Sequence, residues 1–294
     1  MRQSIDNLKN RERLKSFHKK LAPPYGVAIM GILNVTPDSF FDGGVNFSVE
    51  NAIAAGHNMI TEGADILDIG GQSSRPGAEN ISAVKEWARV EPVLKGILDH
   101  FPDAKISIDT YRAEVARKAI EEGAVLVNDI SAGSLDPEIL DVVASTQAPY
   151  VLMHMAGKPE NMQNSPSYES VVDEVYAWFE IKLQELSDMG IKEVIIDPGF
   201  GFGKRLEDNY KLLKNLERFK EFGNPILVGA SRKSMIYKAL DCEPNQALNG
   251  TTAIHAWALE RGASLLRCHD VKAAREVVAL HHHICSTESQ NKPI

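Results

Sequence analysis

Short apolar runs recur along the 294-residue chain, and each ends in side chains that can bond or carry charge. The ends are Asn34, the stretch Gly70-Gly71-Gln72-Ser73-Ser74-Arg75-Pro76-Gly77, Asp109-Thr110, Asn128-Asp129, His154, Asp197-Pro198-Gly199, Ser231-Arg232-Lys233-Ser234, and Arg267 with His269. Helix capping explains a lone Asp or Ser after a strand, but capping does not also call for Arg, Lys and His. A carboxylate accepts two parallel hydrogen bonds, and an amide supplies a donor and an acceptor together. Asp109, Asn128 and Asp197 therefore suit a ligand with paired N–H donors and ring acceptors, such as an aminopyrimidine or pterin edge. Lys233 can donate to a ring carbonyl or nitrogen, and Met153 and Phe202 offer apolar or stacking faces.

A second set of ends is suited to an anion. Arg267 and His269 are two apart, so strand alternation puts both on one face and Cys268 on the other, as a packing residue. Arg75 lies in a Ser-Ser-Arg-Pro-Gly loop, and Ser231 to Ser234 opens a helix whose N-terminus attracts carboxylate or phosphate. Together these residues could hold a diphosphate beside a heterocycle. No Walker-type glycine loop is present, which speaks against nucleoside triphosphate hydrolysis. The run from Gly31 to Gly44 joins an apolar strand to a loop with Asn34, Thr36, Ser39, two Asp and the pair Phe40-Phe41, more chemistry than turning the chain needs.

These ends need elements to hold them at one place. The apolar runs are Val27 to Leu33, Ile66 to Ile69, Ile106 to Ile108, Val125 to Val127, Tyr150 to Met153, Val194 to Ile196, Ile226 to Val228 and Ser264 to Leu266. Between them lie segments of helical period. Ser48 can cap a helix closing at Gly63, Asp136-Pro137 reads as a cap with proline at the first helical position, and Gly123, Gly190 and Gly262 follow amphipathic runs. Eight strand-then-helix units without a composition break predict a single α/β (β/α)8 TIM barrel with a short N-terminal extension. An open doubly wound sheet is the competing architecture. The chain has no G-x-G-x-x-G after its first strand, and Gly199-Phe200-Gly201-Phe202-Gly203 comes late with the wrong spacing. In either fold ligands bind beyond the carboxyl ends of the strands.

Composition bounds the partners. At 44% hydrophobic and 24% charged the chain can bury a full core, and a net charge of -8 disfavours nucleic acid. Lys9, Arg11, Arg13, Lys15, Lys19 and Lys20 form a basic arm over residues 1–24, which Asp6 and Glu12 interrupt, unlike a targeting peptide. The barrel domain is expected over 25–286 and a polar tail over 287–294. No run approaches the roughly 20 apolar residues of a membrane helix. Cys242, Cys268 and Cys285 form no CxxC pair and fit a reducing cytoplasm. His281, His282 and His283, adjacent on a helix, point in different directions and cannot easily share an ion.

Taken together, these motifs resemble the dihydropteroate synthase family. The resemblance runs from Val27 to the last helix. It rests on Asn34-Val35-Thr36-Pro37-Asp38-Ser39-Phe40, Asp68-Ile69-Gly70-Gly71 with Ser73-Ser74-Arg75-Pro76-Gly77, Ser107-Ile108-Asp109-Thr110, Asn128-Asp129-Ile130, Asp197 to Phe202, Ser231 to Ser234 and Arg267 to Asp270. It implies a TIM-type barrel, usually a homodimer. It also implies condensation of 6-hydroxymethyl-7,8-dihydropterin diphosphate with 4-aminobenzoate by an SN1-like path, in folate biosynthesis. By this resemblance Asp109, Asn128, Asp197 and Lys233 hold the pterin, with Met153 along its face. Ser74, Arg267 and His269 grip the diphosphate, and Asn34 helps bind Mg2+. Phe40 and Phe202 flank the aminobenzoate ring, where sulfonamides compete, and Ser234 takes its carboxylate. Asp42 and Arg75 belong to two mobile loops. Gln72 and Ser74 stand where the family often has Glu and Thr, and Phe41 replaces a residue that is commonly small. Two rivals differ in function: a pterin-dependent methyltransferase barrel, which has little use for Arg267-x-His269, and a silent binding barrel, which should lack part of the strand-end set.

Overall fold

The computed structural model describes residues 26–36, 48–73, 80–157 and 166–289. The arm over 1–24 lies outside these residues, as do Phe40, Phe41, Asp42, Ser74 and Arg75.

The strands are β1 (Ala28–Asn34), β2 (Ile66–Gly70), β3 (Ile106–Asp109), β4 (Leu126–Asp129), β5 (Tyr150–Met153), β6 (Val194–Asp197), β7 (Leu227–Val228) and β8 (Leu265–Cys268). All are parallel, in the order β6-β5-β4-β3-β2-β1-β8-β7. A parallel bridge between Ile196 and Ile226 joins the two ends of that order and closes the ring. This is the eightfold barrel, and the open-sheet alternative falls with the closure. Four strands run one residue further than their apolar runs, to Asn34, Gly70, Asp109 and Asp197, and β4 and β8 run two further, to Asp129 and Cys268, because these residues still occupy ladder positions at the carboxyl ends.

Around the ring lie α1 (Val49–Thr61), α2 (Ala83–His100), α3 (Ala113–Glu121), α4 (Glu138–Thr146), α5 (Val171–Asp188), α6 (Leu206–Lys214), α7 (Ser234–Tyr237), α8 (Leu248–Glu260) and α9 (Val271–Ser289). Ser48 caps α1 by accepting from the Asn51 N–H at 3.2 Å, and Gly63 follows the helix at φ 102°. Asp136 serves two helices. Its Oδ1 accepts from the Glu138 N–H at 3.3 Å at the start of α4, and its Oδ2 from the Ala113 N–H at 2.8 Å at the start of α3. Gly123, Gly190 and Gly262 all have positive φ, as expected of residues that end helices. The last helix continues through Ser289, past the tail boundary expected at 287.

Strand alternation sorts the apolar side chains into two layers. Ile29, Leu67, Ile108, Val127, Leu152, Ile196, Val228 and Leu266 face the helices and join the large outer core. Ala28, Met30, Ile66, Leu126, Val151, Ile195, Leu227 and Leu265 form a separate inner cluster, the plug of the barrel. No helix among the described residues is long and apolar enough to cross a membrane. The three cysteines are free thiols.

Candidate active site

The site stands on the plug. Two residues beyond a plug residue, on the same inward face, lie Asp68 after Ile66, Asn128 after Leu126, Met153 after Val151, Asp197 after Ile195, Gly229 after Leu227 and Arg267 after Leu265. Asp109 pairs in register with Asn128, and Asn34 with Gly70. One step along β2, β4, β6 and β8 thus converts an apolar floor into polar groups, Asp68, Asn128, Asp197 and Arg267.

Arg267 organises one half of the ring. Its Nε donates to Asp68 Oδ2 at 2.6 Å, and its Nη2 donates to Asp109 Oδ2 at 2.6 Å. Asn128 Nδ2 donates to the same Asp68 oxygen at 2.8 Å, which fixes the amide so that its carbonyl oxygen is directed elsewhere. Asp68 is fully buried, and its Oδ1 has no hydrogen-bond partner. Burial pushes the Asp109 carboxyl up to about 7, although Arg267 pulls the other way and Asp68 adds to the rise. Burial disfavours the Arg267 cation, yet Asp68 and Asp109 outweigh it and hold the guanidinium charged beyond its ordinary range. Arginine has five N–H donors, so the grip of the two aspartates leaves capacity for an anion.

Asp197 and Lys233 form the other half. Asp197 Oδ1 accepts from the Gly199 N–H at 2.8 Å. Burial raises its carboxyl pKa, opposed chiefly by Lys233. Burial lowers Lys233 to about 8, against the pull of Asp197. The Lys233 ammonium donates to the Phe200 carbonyl at 2.6 Å and lies 4.5 Å from the centre of the Phe202 ring. Met153, in register with Asp197, is buried on the inward face. Gly229 keeps the space beside this half open, since a Cβ there would come 3.8 Å from Asp197 Oδ2 and 3.9 Å from the Arg267 Cβ.

At the rim, Ser231 Oγ accepts from the His269 N–H at 3.2 Å and lies 3.1 Å from His269 Nδ1. Burial, reinforced by Arg267 and Arg232, lowers His269 to about 4 and leaves it neutral near pH 7. Arg232, at φ 55°, turns away to Asp270, donating through Nε at 2.9 Å and Nη2 at 2.6 Å. Ser234 begins α7, but α7 is a single four-residue turn. Its dipole is correspondingly small, so a carboxylate there would have to be held by the Ser234 hydroxyl and not by the helix.

Asp109, Asn128, Met153, Asp197, Lys233, Arg267 and His269 therefore meet at one barrel mouth, with Phe202 and Ser234 beside it. Asp129, also at a strand end, is engaged elsewhere. It faces the outer layer and accepts from the Ser131 N–H and hydroxyl, the Gly133 N–H and the Tyr150 hydroxyl, at 2.7, 2.7, 2.7 and 2.8 Å. Asp68 was missed as a site residue because it precedes the visible end of its apolar run. Its signal is parity, a carboxylate two residues after an inward Ile66. Gln72 also gains a local role, accepting from the Ile81 N–H at 3.1 Å and donating to the Ser73 carbonyl at 3.0 Å. The amide does both, whereas a glutamate carboxylate could not donate to the Ser73 carbonyl.

A closed parallel barrel with carboxylates, an amide and a lysine around its carboxyl-end mouth belongs to the class of barrel enzymes that grip a flat, nitrogen-rich heterocycle. The family described as pterin binding enzyme matches residues 30–269. The chain is 45% identical to a dihydropteroate synthase of Synechocystis over 252 residues, covering 85% of this chain and 87% of that one. The dihydropteroate synthase of Yersinia pestis, solved in a sulfonamide drug complex, superposes with a TM-score of 0.84 at 40% identity, covering 90% of this chain and 96% of that one. That of Xanthomonas albilineans, solved with 4-aminobenzoic acid, gives 0.82 at 41% identity, covering 91% and 94%. The chain belongs to the pterin-binding enzyme family, in the company of its dihydropteroate synthases.

Proposed function

We propose that this protein is a transferase that joins 6-hydroxymethyl-7,8-dihydropterin diphosphate to 4-aminobenzoate, yielding 7,8-dihydropteroate and diphosphate. The observation that carries the reading is the joint presence, at one mouth, of the Asp109-Asn128-Asp197-Lys233 set and of Arg267 with His269. The first set complements the donors and acceptors of a pterin edge, and the second supports a departing anion. A methyl-transferring pterin barrel has little use for the second set.

The chemistry follows from charge. Loss of diphosphate from the pterin methylene leaves a cation that the electron-rich ring delocalises, and Asp109 and Asp197 offset that positive charge. Arg267 and His269 orient the leaving anion, and the aromatic amine then attacks the methylene carbon and releases one proton to solvent or to the departed diphosphate. No Ser or Cys nucleophile takes part. Asn34 offers a hard oxygen donor at the mouth, and no cluster of three or more His, Cys, Asp or Glu able to hold an ion occurs among the described residues. That donor set fits Mg2+ carried in by the diphosphate, since Mg2+ commonly binds through few protein oxygens plus phosphate and water. Mg2+ so bound would neutralise charge on the leaving group. Phe202 and Ser234 receive the aminobenzoate ring and carboxylate, the region where sulfonamides would compete.

The reading includes a homodimer, for which α8 and α9 offer the exposed apolar side chains Leu248, Trp257, Leu280 and Ile284. It places the protein in the cytoplasm, where its cysteines stay reduced. The test is direct detection of 7,8-dihydropteroate after incubation with both substrates and Mg2+. Product formation without methyl transfer to a corrinoid supports the proposal, and absence of product from folded protein contradicts it.

A further inference from the structure

The loop that carries Phe202 is closed from within by a buried cation. Lys204 is 4% exposed. Its Nζ lies 2.9 Å from the Gly199 carbonyl, 3.1 Å from that of Phe202, 3.2 Å from that of His154 and 3.0 Å from His154 Nδ1. An ammonium has three protons, so four acceptors share them and no further acceptor is needed. The cage is tight because the loop backbone presses on the segment after β5. A Cβ on Gly199, at φ 72°, would come 1.9 Å from the His154 oxygen, and one on Gly203, at φ 62°, 2.5 Å from the Ala156 oxygen. Other ties complete the loop. Gly201 N–H donates to Asn209 Oδ1 at 2.7 Å, and the Tyr168 hydroxyl donates to the Gly203 carbonyl at 2.9 Å.

The charge state of the cage is consistent with this arrangement. Burial, with the neighbouring Lys204 charge, lowers His154 to about 2, so the imidazole is neutral and can accept through Nδ1. Burial lowers Lys204 to about 7, while Asp197 favours its charged form. The Lys204 tie joins both Gly199 and Phe202 to the end of β5. Gly199 in turn holds Asp197 through its N–H.

We infer that Lys204 is a positioning residue for the second substrate: its caged ammonium fixes the Gly199–Phe202 turn against His154 and thereby sets the Phe202 ring that faces aminobenzoate. The inference rests on the proposed synthase reading. Turnover by the wild type tests that reading, and the ratio of variant to wild type tests the inference. Steady-state kinetics and calorimetry on the purified full chain give the ratio. Lys204→Met should raise KM for aminobenzoate about tenfold and weaken 6-hydroxymethylpterin binding by a distinctly smaller factor, about threefold, through Gly199 and Asp197, the pattern of a misplaced second-substrate surface. Lys204→Arg restores a cation with several donors and should recover most of the lost KM. An unchanged KM in a folded variant overturns the inference. So does an equal loss of pterin affinity, or failure of both variants to fold, since each would make Lys204 a structural lysine only.

Discussion

Arg267 holds two aspartates, and through Asp68 it also fixes the orientation of the Asn128 amide. Its loss would remove the anion's partner and leave the Asp68 and Asp109 carboxylates without their counter-charge. Arg267→Ala and Asp197→Ala are each expected to depress dihydropteroate formation ~100 to 1000-fold, the usual effect of deleting one preorganised electrostatic partner. Asp68→Ala acts one bond further out. It removes the acceptor of both Arg267 and Asn128, and a lost charged hydrogen bond of about 1.5–3 kcal/mol predicts roughly 10 to 100-fold weaker binding of 6-hydroxymethylpterin by calorimetry. The pH profile follows from the two shifted groups. Asp109 must be ionised to accept from the pterin, so kcat/KM should fall as pH drops below about 7. Lys233 must be charged to donate, so kcat/KM should also fall as pH rises past about 8. The result is a narrow bell, whose acid limb should move in Asp109→Asn. A flat profile between pH 6 and 9 would separate these residues from the chemistry.

At the scale of the elements, the strand and its plug residue set each side chain's height in the barrel. Leu265 is fully buried in the plug directly beneath Arg267. Leu265→Ala should therefore cost about 2–5 kcal/mol in denaturant unfolding. A cost below ~1 kcal/mol would mean the inner cluster is not a packed floor. Much of this scale was legible in the sequence. The apolar runs located every strand, and Ser48, Asp136 and the helix-ending glycines located helix boundaries, because these signals are local. The extension of six strands by one or two residues was not legible, since a polar residue at the ladder's end does not differ in sequence from the first residue of a loop. Asp68 was hidden for the same kind of reason: its assignment depends on which face is inward, and only barrel closure fixes that. Lys204 was hidden by the long-range approach of the β5 end to the Gly199–Gly203 loop. The short length of α7 also escaped, as a strand-end Ser-Arg-Lys-Ser run reads equally well as the start of a long helix.

For the molecule as a whole, eight strands of one chain deliver groups far apart in sequence to one mouth, with Asp68 and Arg267 separated by 199 positions. The site can therefore form only when the barrel is closed, and activity should be lost together with the cooperative unfolding transition. The helices α8 and α9 bring the second whole-molecule expectation. Trp257→Glu places a charge in the exposed apolar patch and should shift the proposed dimer toward monomer in sedimentation, and an unshifted profile would count against an interface on these helices. The proposed function stands or falls on whether the inward strand-end residues hold the pterin and stabilise departure of its diphosphate. Diphosphate release measured with both substrates, and again with aminobenzoate omitted, tests it most directly in wild type, Asp197→Ala and Arg267→Ala. Release should be matched one for one by dihydropteroate in the wild type, turnover should be lost without aminobenzoate, and each folded variant should show a ~100 to 1000-fold drop. Undiminished release in the folded variants would contradict it.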